Sequence, residues 1–179
     1  GLPSDVFVFC SFNSAYKYNP QVFDLWCRIL HKSPGSVLWL AMPPSGGMER
    51  LWLEAEARGV ARERIIFAKR VSGRVDHLSR LQLADLALDP FPYNSHSTGV
   101  EMLYAGVPMV SLLGGTFPSR VGASLLHSVG LAELVADSPE TYVSIAIALF
   151  EDRQRLSALR ARLAEEIRDQ LPLFKMESF

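Results

Sequence analysis

Residues 6–41 read VFVFCSFNSAYKYNPQVFDLWCRILHKSPGSVLWLA and contain one complete strand–helix–strand pattern. The apolar run Val6–Phe12 is typical of a parallel strand that is covered on both faces. The dipeptide Asn19-Pro20 predicts a helix start, because asparagine is a good N-cap and proline suits the first helical position. Pro34-Gly35 ends that helix, and a second apolar run, Ser36–Ala41, follows it. The stretch therefore predicts a βαβ unit with a right-handed crossover.

The same alternation continues along the rest of the chain. Apolar runs predict further strands at Arg64–Ala68, Leu86–Asp89 and Met109–Leu112, and a weaker one at Glu133–Val135. Helical spacing predicts helices at Glu49–Arg58, Val75–Leu83, Gly99–Ala105, Ser119–Val129, Glu140–Phe150 and Arg153–Leu171. Strands that alternate with helices predict an α/β fold, a doubly wound, Rossmann-like parallel sheet, and we expect residues 1–179 to form a single domain.

The composition is that of an ordinary globular protein, with 49% hydrophobic and 21% charged residues. The net charge is −1, so we expect no broad nucleic-acid or membrane surface, and any anion site must be local. Cys10 and Cys27 lie in apolar contexts without CxxC spacing, which predicts buried, reduced thiols. No signal peptide opens the sequence and no apolar run approaches the roughly 18 residues of a membrane span, so we expect a cytoplasmic location.

Ligands of open parallel sheets bind beyond the carboxyl ends of the strands. The strongest candidate there is Asn94–Gly99 (NSHSTG), between a strand and a helix. Its small residues let backbone N–H groups approach a ligand, and a helix N-terminus favours negative charge. Glu101, one turn into the helix, is suited to accept hydrogen bonds from ribose hydroxyls. An ordinary N-cap, with His96 as a loop histidine, is the alternative interpretation.

Two further segments carry candidate ligand-binding residues. Lys17 follows the first strand, where its ammonium could neutralise a diphosphate; a solvated surface lysine is the alternative. Arg74, His77 and Arg80 are three residues apart and share one side of a helix, where they could stack on a base; a solvated basic face is the alternative. Asp85 and Asp89 bracket a strand, but their spacing fits no metal loop, and we expect structural capping.

Several familiar motifs are missing from the sequence. It contains no GxGxxG dinucleotide fingerprint, no GxxxxGK[ST] phosphate loop and no GxSxG nucleophile elbow. The sequence therefore gives no indication of a dinucleotide-binding site, of a P-loop nucleotide site or of a serine-hydrolase active site.

Together these segments resemble the C-terminal catalytic lobe of the O-linked N-acetylglucosamine transferases, GT-B-fold enzymes that modify serine and threonine residues of proteins. The resemblance covers most of the chain and is loose only beyond about Glu151. The matching segments are LPSDVFVFCSFNSAYKYNP, SVLWL, RIIF, QLADLALDPFPYNSHSTG, AGVPMVSLLGGTFPSRVGASLL and GLAELVA. Their departures from the family pattern look like those of a bacterial, tetratricopeptide-repeat-containing homologue.

The resemblance implies a binding site for UDP-N-acetylglucosamine. It implies that Lys17, His96, Ser97 and Thr98 contact the diphosphate at the helix that Gly99 opens, that His77 and Arg80 flank the uracil, and that Arg74 and Glu101 hold the ribose. Ser14 stands where the family has a glutamine that contacts the diphosphate. Arg74 replaces a lysine, Ser97 a threonine and Glu101 an aspartate.

The resemblance also implies inverting transfer of N-acetylglucosamine to a protein hydroxyl without a metal or other cofactor. The family's N-terminal lobe, its candidate catalytic bases and the tetratricopeptide repeats that hold protein acceptors are absent from this sequence. We therefore expect the chain alone to be inactive. Two other functions stay open at this point: an epimerase that binds UDP-sugars between similar lobes, and a non-enzymatic nucleotide-binding module.

Overall fold

The computed structural model describes residues 1–164, 168 and 170–175. Within this part of the chain, one sheet contains the strands β1 (Val8–Ser11), β2 (Val37–Ala41), β3 (Ile65–Ala68), β4 (Leu86–Leu88), β5 (Met109–Leu112) and β6 (Val135–Ala136). The helices are α1 (Pro20–Lys32), α2 (Gly47–Ala57), α3 (Arg74–Leu81), α4 (Ser97–Tyr104), α5 (Val121–Ser128), α6 (Pro139–Glu151) and α7 (Arg153–Ala161). No helix over these residues combines the length and apolarity that a bilayer crossing requires.

The six strands are parallel and lie in the order β3-β2-β1-β4-β5-β6. From β1 the chain adds β2 and then β3 on one side. It then crosses back over the sheet to β4, on the other side of β1, and adds β5 and β6 there. Right-handed crossovers then place α1 and α2 on one face of the sheet and α3, α4 and α5 on the opposite face. This is the doubly wound order, and the predicted fold class is confirmed.

The core centres on β1 and on the helix pair α1 and α6. β1 is buried along its whole length, between β2 and β4. Trp26 of α1 donates a hydrogen bond to the Tyr142 hydroxyl of α6 (3.1 Å), which donates in turn to the Asp89 carbonyl oxygen (2.9 Å). Because all three groups are buried, this chain of bonds fixes the position of the residue that follows β4.

Local signals placed the first helix well. The Asn19 side chain accepts a hydrogen bond from the Val22 backbone N–H (2.9 Å), and Pro20 is the first helical residue, as predicted. Other boundaries differ by a few residues: β1 is shorter than Val6–Phe12, and α4 begins at Ser97 rather than Gly99. The weak strand predicted at Glu133–Val135 is mostly a 3-10 turn that precedes β6.

The last predicted helix, Arg153–Leu171, does not run unbroken. Helix α7 ends at Ala161, and the chain turns there so that Leu163 reaches the core from outside the helix, 1% exposed. Arg160 fixes this turn by donating to the carbonyl oxygen of Ala84 (2.7 Å). Ile167, which the helical spacing also included, lies outside the described residues.

The two cysteines are free and buried, as predicted. Burial raises the pKa of both thiols, that of Cys27 to about 11. Both therefore stay protonated near neutral pH and behave as small core residues.

Candidate functional site

The strand order reverses between β1 and β4, and the loops that follow these two strands meet at the carboxyl edge of the sheet. Such a reversal opens a crevice in which doubly wound proteins bind their ligands. The loop after β1 carries Ser14 and Lys17, and the loop after β4 leads to His96 and the start of α4. The structure therefore brings together the two segments that the sequence predicted separately.

Asp89 anchors the loop after β4. Its carboxylate is buried and accepts hydrogen bonds from the Ser95 backbone N–H and from the Ser111 hydroxyl, both at 2.6 Å. Burial raises the pKa of this carboxyl group to about 6, although the two hydrogen bonds and the charge of Lys17 act in the opposite direction. Asp89 therefore has a structural role, because its carboxylate holds the backbone just before α4, but it does not cap that helix as predicted.

The Asp89 carboxyl predicts a pH dependence of stability. Because its folded pKa lies above its ordinary value of 3.8, the folded protein keeps a proton that the unfolded chain has lost between about pH 4 and pH 6. The contribution of this group to the free energy of unfolding therefore falls as pH rises through that range. In Asp89→Asn this dependence is absent, so the urea midpoint of the variant relative to the wild type is expected to rise from about pH 4 to pH 7. A difference between the two proteins that stays constant over this range would contradict the shifted pKa.

Lys17 bridges the switch point. It ends a short 3-10 helix, Ala15–Lys17, and its ammonium donates to the Asn94 carbonyl oxygen (2.8 Å) and to Oδ1 of Asn13 (3.2 Å). The same Asn13 donates to the Ser95 hydroxyl (2.8 Å). Lys17 is only 8% exposed, which excludes a solvated surface lysine. Burial lowers the pKa of its ammonium, and the negative charge of Asp89 raises it in part.

The N-terminus of α4 faces the same crevice. The first backbone N–H that bonds back along the helix belongs to Val100, which donates to the His96 carbonyl oxygen (3.1 Å). The preceding N–H groups, those of Ser97, Thr98 and Gly99, donate no capping hydrogen bond to the His96 side chain. Such N–H groups and the helix dipole together attract an anion.

Gly99 and His96 shape this end of the helix. A Cβ atom on Gly99 would lie 2.9 Å from Leu125 and 3.0 Å from Ser95, so only glycine lets α4 pack this closely. The His96 ring stacks on Tyr93, with ring centroids 5.4 Å apart. Nε2 of His96 is shielded from solvent and has no hydrogen-bond partner among the described residues.

His77 and Arg80 of α3 form a joined pair. The Arg80 guanidinium donates to Nδ1 of His77 (2.8 Å), and Nε2 of His77 lies 3.3 Å from the Glu101 carboxylate on α4. Because a guanidinium can only donate, Nδ1 is the acceptor and Nε2 carries the proton toward Glu101. The predicted base-binding and ribose-binding residues therefore contact one another across the α3–α4 interface. Arg74 is exposed on the first turn of α3 and does not join this group.

A cleft of about 650 Å³ lies beside this pair. It runs between the loops after β1, β2 and β3, and its floor includes Phe12, whose ring lies 5.0 Å from the Arg80 guanidinium. Its lining residues are Phe12, Asn13, Ser14, Ala15, Tyr16, Ala41, Met42, Pro43, Pro44, Ala68, Arg70, His77 and Arg80. The predicted residues therefore fall into two neighbouring groups: Ser14, His77 and Arg80 in the cleft, and Lys17 with the α4 N-terminus beside it.

Sequence reasoning singled out the segment that begins at Asn94 but assigned no role to its side chain, nor to Asn13, Tyr93 or Arg70. Asn13 and Asn94 hold Lys17, Tyr93 packs against it, and Arg70 lines the cleft. Nothing in the local sequence distinguishes these side chains from ordinary loop residues, since their partners are far away along the chain. Over the residues that the structure covers, no group of three or more His, Cys, Asp and Glu side chains is arranged to hold a metal ion.

Comparison with known proteins assigns the chain to a family. The profile of glycosyl transferase family 41 matches residues 1–179. The UDP-N-acetylglucosamine–peptide N-acetylglucosaminyltransferase of Caenorhabditis elegans is 41% identical over 162 residues, which are 90% of this chain and 14% of that protein. The structure of a Thermobaculum terrenum O-GlcNAc transferase mutant matches with a TM-score of 0.87 at 34% identity, over 98% of this chain and 35% of that one.

A more distant structure shows the same fold. The Anabaena protein Alr3699/HepE, solved in complex with UDP, matches with a TM-score of 0.68 at 17% identity, over 98% of this chain and 48% of that one. At this identity the likeness concerns the fold alone.

The doubly wound sheet and the structures that match it define one lobe of a GT-B glycosyltransferase. The chain belongs to glycosyltransferase family 41, and the resemblance to the O-linked N-acetylglucosamine transferases is confirmed. The chain spans about a seventh of the Caenorhabditis elegans relative and about a third of the Thermobaculum terrenum structure.

Proposed function

We propose that residues 1–179 form the UDP-N-acetylglucosamine-binding lobe of a protein O-GlcNAc transferase. The observation that carries this proposal is the buried Lys17 ammonium, which lies next to the uncapped N-terminus of α4 at the switch point of the sheet. Both features attract an anion. The relatives are named for a UDP-sugar donor, so the diphosphate of that donor is the anion that we assign to this place.

The remaining donor contacts follow from the two groups of residues. We assign the diphosphate to Lys17, His96, Ser97 and Thr98 and to the N–H groups that end at Gly99. We assign the uracil to His77 and Arg80, which lie together at the cleft, and the ribose to Glu101, which contacts His77. The assignment of Arg74 to the ribose rests on the family resemblance alone, since its side chain is exposed and lies outside this group. Ser14 lines the cleft within the same site. These assignments place the base in the cleft and the diphosphate at the helix N-terminus beside it.

The proposed reaction is inverting and metal-independent. The oxygen of a serine or threonine hydroxyl attacks the anomeric carbon of N-acetylglucosamine, and the bond from that carbon to the diphosphate breaks. UDP leaves with the electron pair, and the hydroxyl proton passes to a base outside this chain. Lys17 and the α4 N-terminus would stabilise the negative charge that develops on the leaving oxygen, because both are positive and already in place.

The proposed partners lie in the rest of the protein. An N-terminal lobe would close the donor site and supply the base, and tetratricopeptide repeats would hold the protein acceptor. The relatives support this arrangement, because they are much longer than this chain and the chain matches only a part of each. Residues 1–179 would then bind the donor without turning it over.

Calorimetric titration with UDP, and with ADP as the control, tests the proposal directly. We expect residues 1–179 to bind UDP measurably and ADP at least about tenfold more weakly, since a purine does not fit a uracil site. A transfer assay on the same chain is expected to show no turnover. Equal affinity for the two nucleotides would contradict the assignment of the uracil to His77 and Arg80, and turnover would show that the base lies within the chain.

A further inference from the structure

Three groups surround the Lys17 ammonium in the free protein. One points to the Asn94 carbonyl oxygen and one to Oδ1 of Asn13, while the face of the Tyr93 ring lies 4.3 Å from Nζ. An ammonium has three donors, and an aromatic face is a weak acceptor for a cation. Because Lys17 is only 8% exposed and its ammonium already has these three neighbours, we infer that a phosphate oxygen must displace one of them to contact Nζ.

The two asparagines are held in place. Asn94 is fully buried, and its amide donates to the Pro90 carbonyl oxygen (2.9 Å) and accepts from the Gly122 N–H (3.3 Å). Asn13 is 3% exposed and donates to the Ser95 hydroxyl. Moving either residue would break further buried hydrogen bonds and leave buried polar groups unpaired, which is costly.

Tyr93 is the partner that can leave. Its side chain is 41% exposed, and its ring is held mainly by stacking on His96 and by edge contact with Tyr16, which is itself 76% exposed. The ring therefore lies on the solvent side of Lys17, in contact with both Lys17 and His96. These are two of the residues to which we assign the diphosphate.

We propose that Tyr93 covers the anion site in the free protein and competes with the diphosphate for Lys17. This inference rests on the proposed function and names a side chain that opposes donor binding without contacting the donor. A diphosphate that reaches Lys17 takes the place of the Tyr93 ring, and the shielded Nε2 of His96 gains a partner at the same time. Donor binding is therefore weakened by the energy of the Lys17–Tyr93 contact, which must be broken first.

Removal of the ring is expected to strengthen anion binding. The change Tyr93→Ala takes away the competing face, so the affinity for UDP should rise about 2- to 30-fold, the equivalent of about 0.5–2 kcal/mol for the lost cation–π contact. Tyr93→Phe keeps the ring face and the stacking on His96, so it should bind UDP as the wild type does. In a Lys17→Met background, Tyr93→Ala should give no increase.

Calorimetric titrations of these four variants and the wild type with UDP, and with inorganic pyrophosphate as a second probe, test the proposal. Stronger binding of either probe by Tyr93→Ala, dependent on Lys17, supports it. If only pyrophosphate shows the increase, the cover exists but the assignment of a uridine nucleotide is wrong. Unchanged or weaker binding of both probes by Tyr93→Ala overturns the inference, whatever the wild type does with UDP.

Discussion

Replacement of Lys17 by methionine is expected to lower the affinity for UDP about 10- to 150-fold. Methionine keeps an unbranched apolar stem of similar length in this buried position and removes the ammonium. The lost contact is a charge-assisted hydrogen bond to phosphate, which contributes about 1.5–3 kcal/mol. Calorimetric titration of the variant with UDP, at one fixed ionic strength, measures the change.

A matched lysine separates this contact from the general charge of the protein. Lys32 ends α1 on the surface, at the carboxyl end of that helix and away from the switch point. Lys32→Met removes the same charge and should leave UDP affinity within about twofold, because exposed charges at such distances are screened by salt. Equal losses of UDP affinity in the two variants would mean that Lys17 acts only through the net charge of the protein. Unchanged UDP affinity in Lys17→Met would contradict the assignment of Lys17 to the diphosphate.

The buried position of Lys17 shows where reasoning from sequence ends. The apolar runs and helix caps are local signals, so they placed the strands and α1 with errors of a few residues. The rule that ligands bind beyond strand carboxyl ends then selected two loops that the structure brings together at the switch point. Whether Lys17 is solvated or buried depends on Asn94, which is 77 residues away along the chain, and no local pattern encodes that contact.

The same limit explains the error at the end of the chain. Leu156, Leu159 and Leu163 repeat at helical spacing, and all three are buried, yet Leu163 lies beyond the end of α7. Apolar spacing reports burial, and a turn can also bury a leucine. The bond from Arg160 to the Ala84 carbonyl oxygen, which holds this turn, joins segments 76 residues apart.

Gly122 offers the sharpest test of how the proposed anion site is built. It is the second residue of α5, and its backbone packs against the buried Asp89–Ser111 pair, which lies below the loop that leads to α4. A Cβ atom at this position would lie 2.0 Å from the Ser111 hydroxyl oxygen and 2.2 Å from Oδ2 of Asp89. Both neighbours are buried and bonded to each other at 2.6 Å, so neither can move aside without breaking that bond.

The change Gly122→Ala is therefore expected to lower the free energy of unfolding by about 3 kcal/mol or more, the sum of overpacking and of the broken bond at Asp89. Gly115 is the matched control, because a Cβ atom there meets nothing within 4 Å. Gly115→Ala should be neutral or slightly stabilising, by up to about 1 kcal/mol. Urea unfolding of both variants measures the two values. Similar midpoints for the two would show that the Asp89–Ser111 centre has room for a methyl group, and that α5 does not press on the residue that holds the α4 N-terminus.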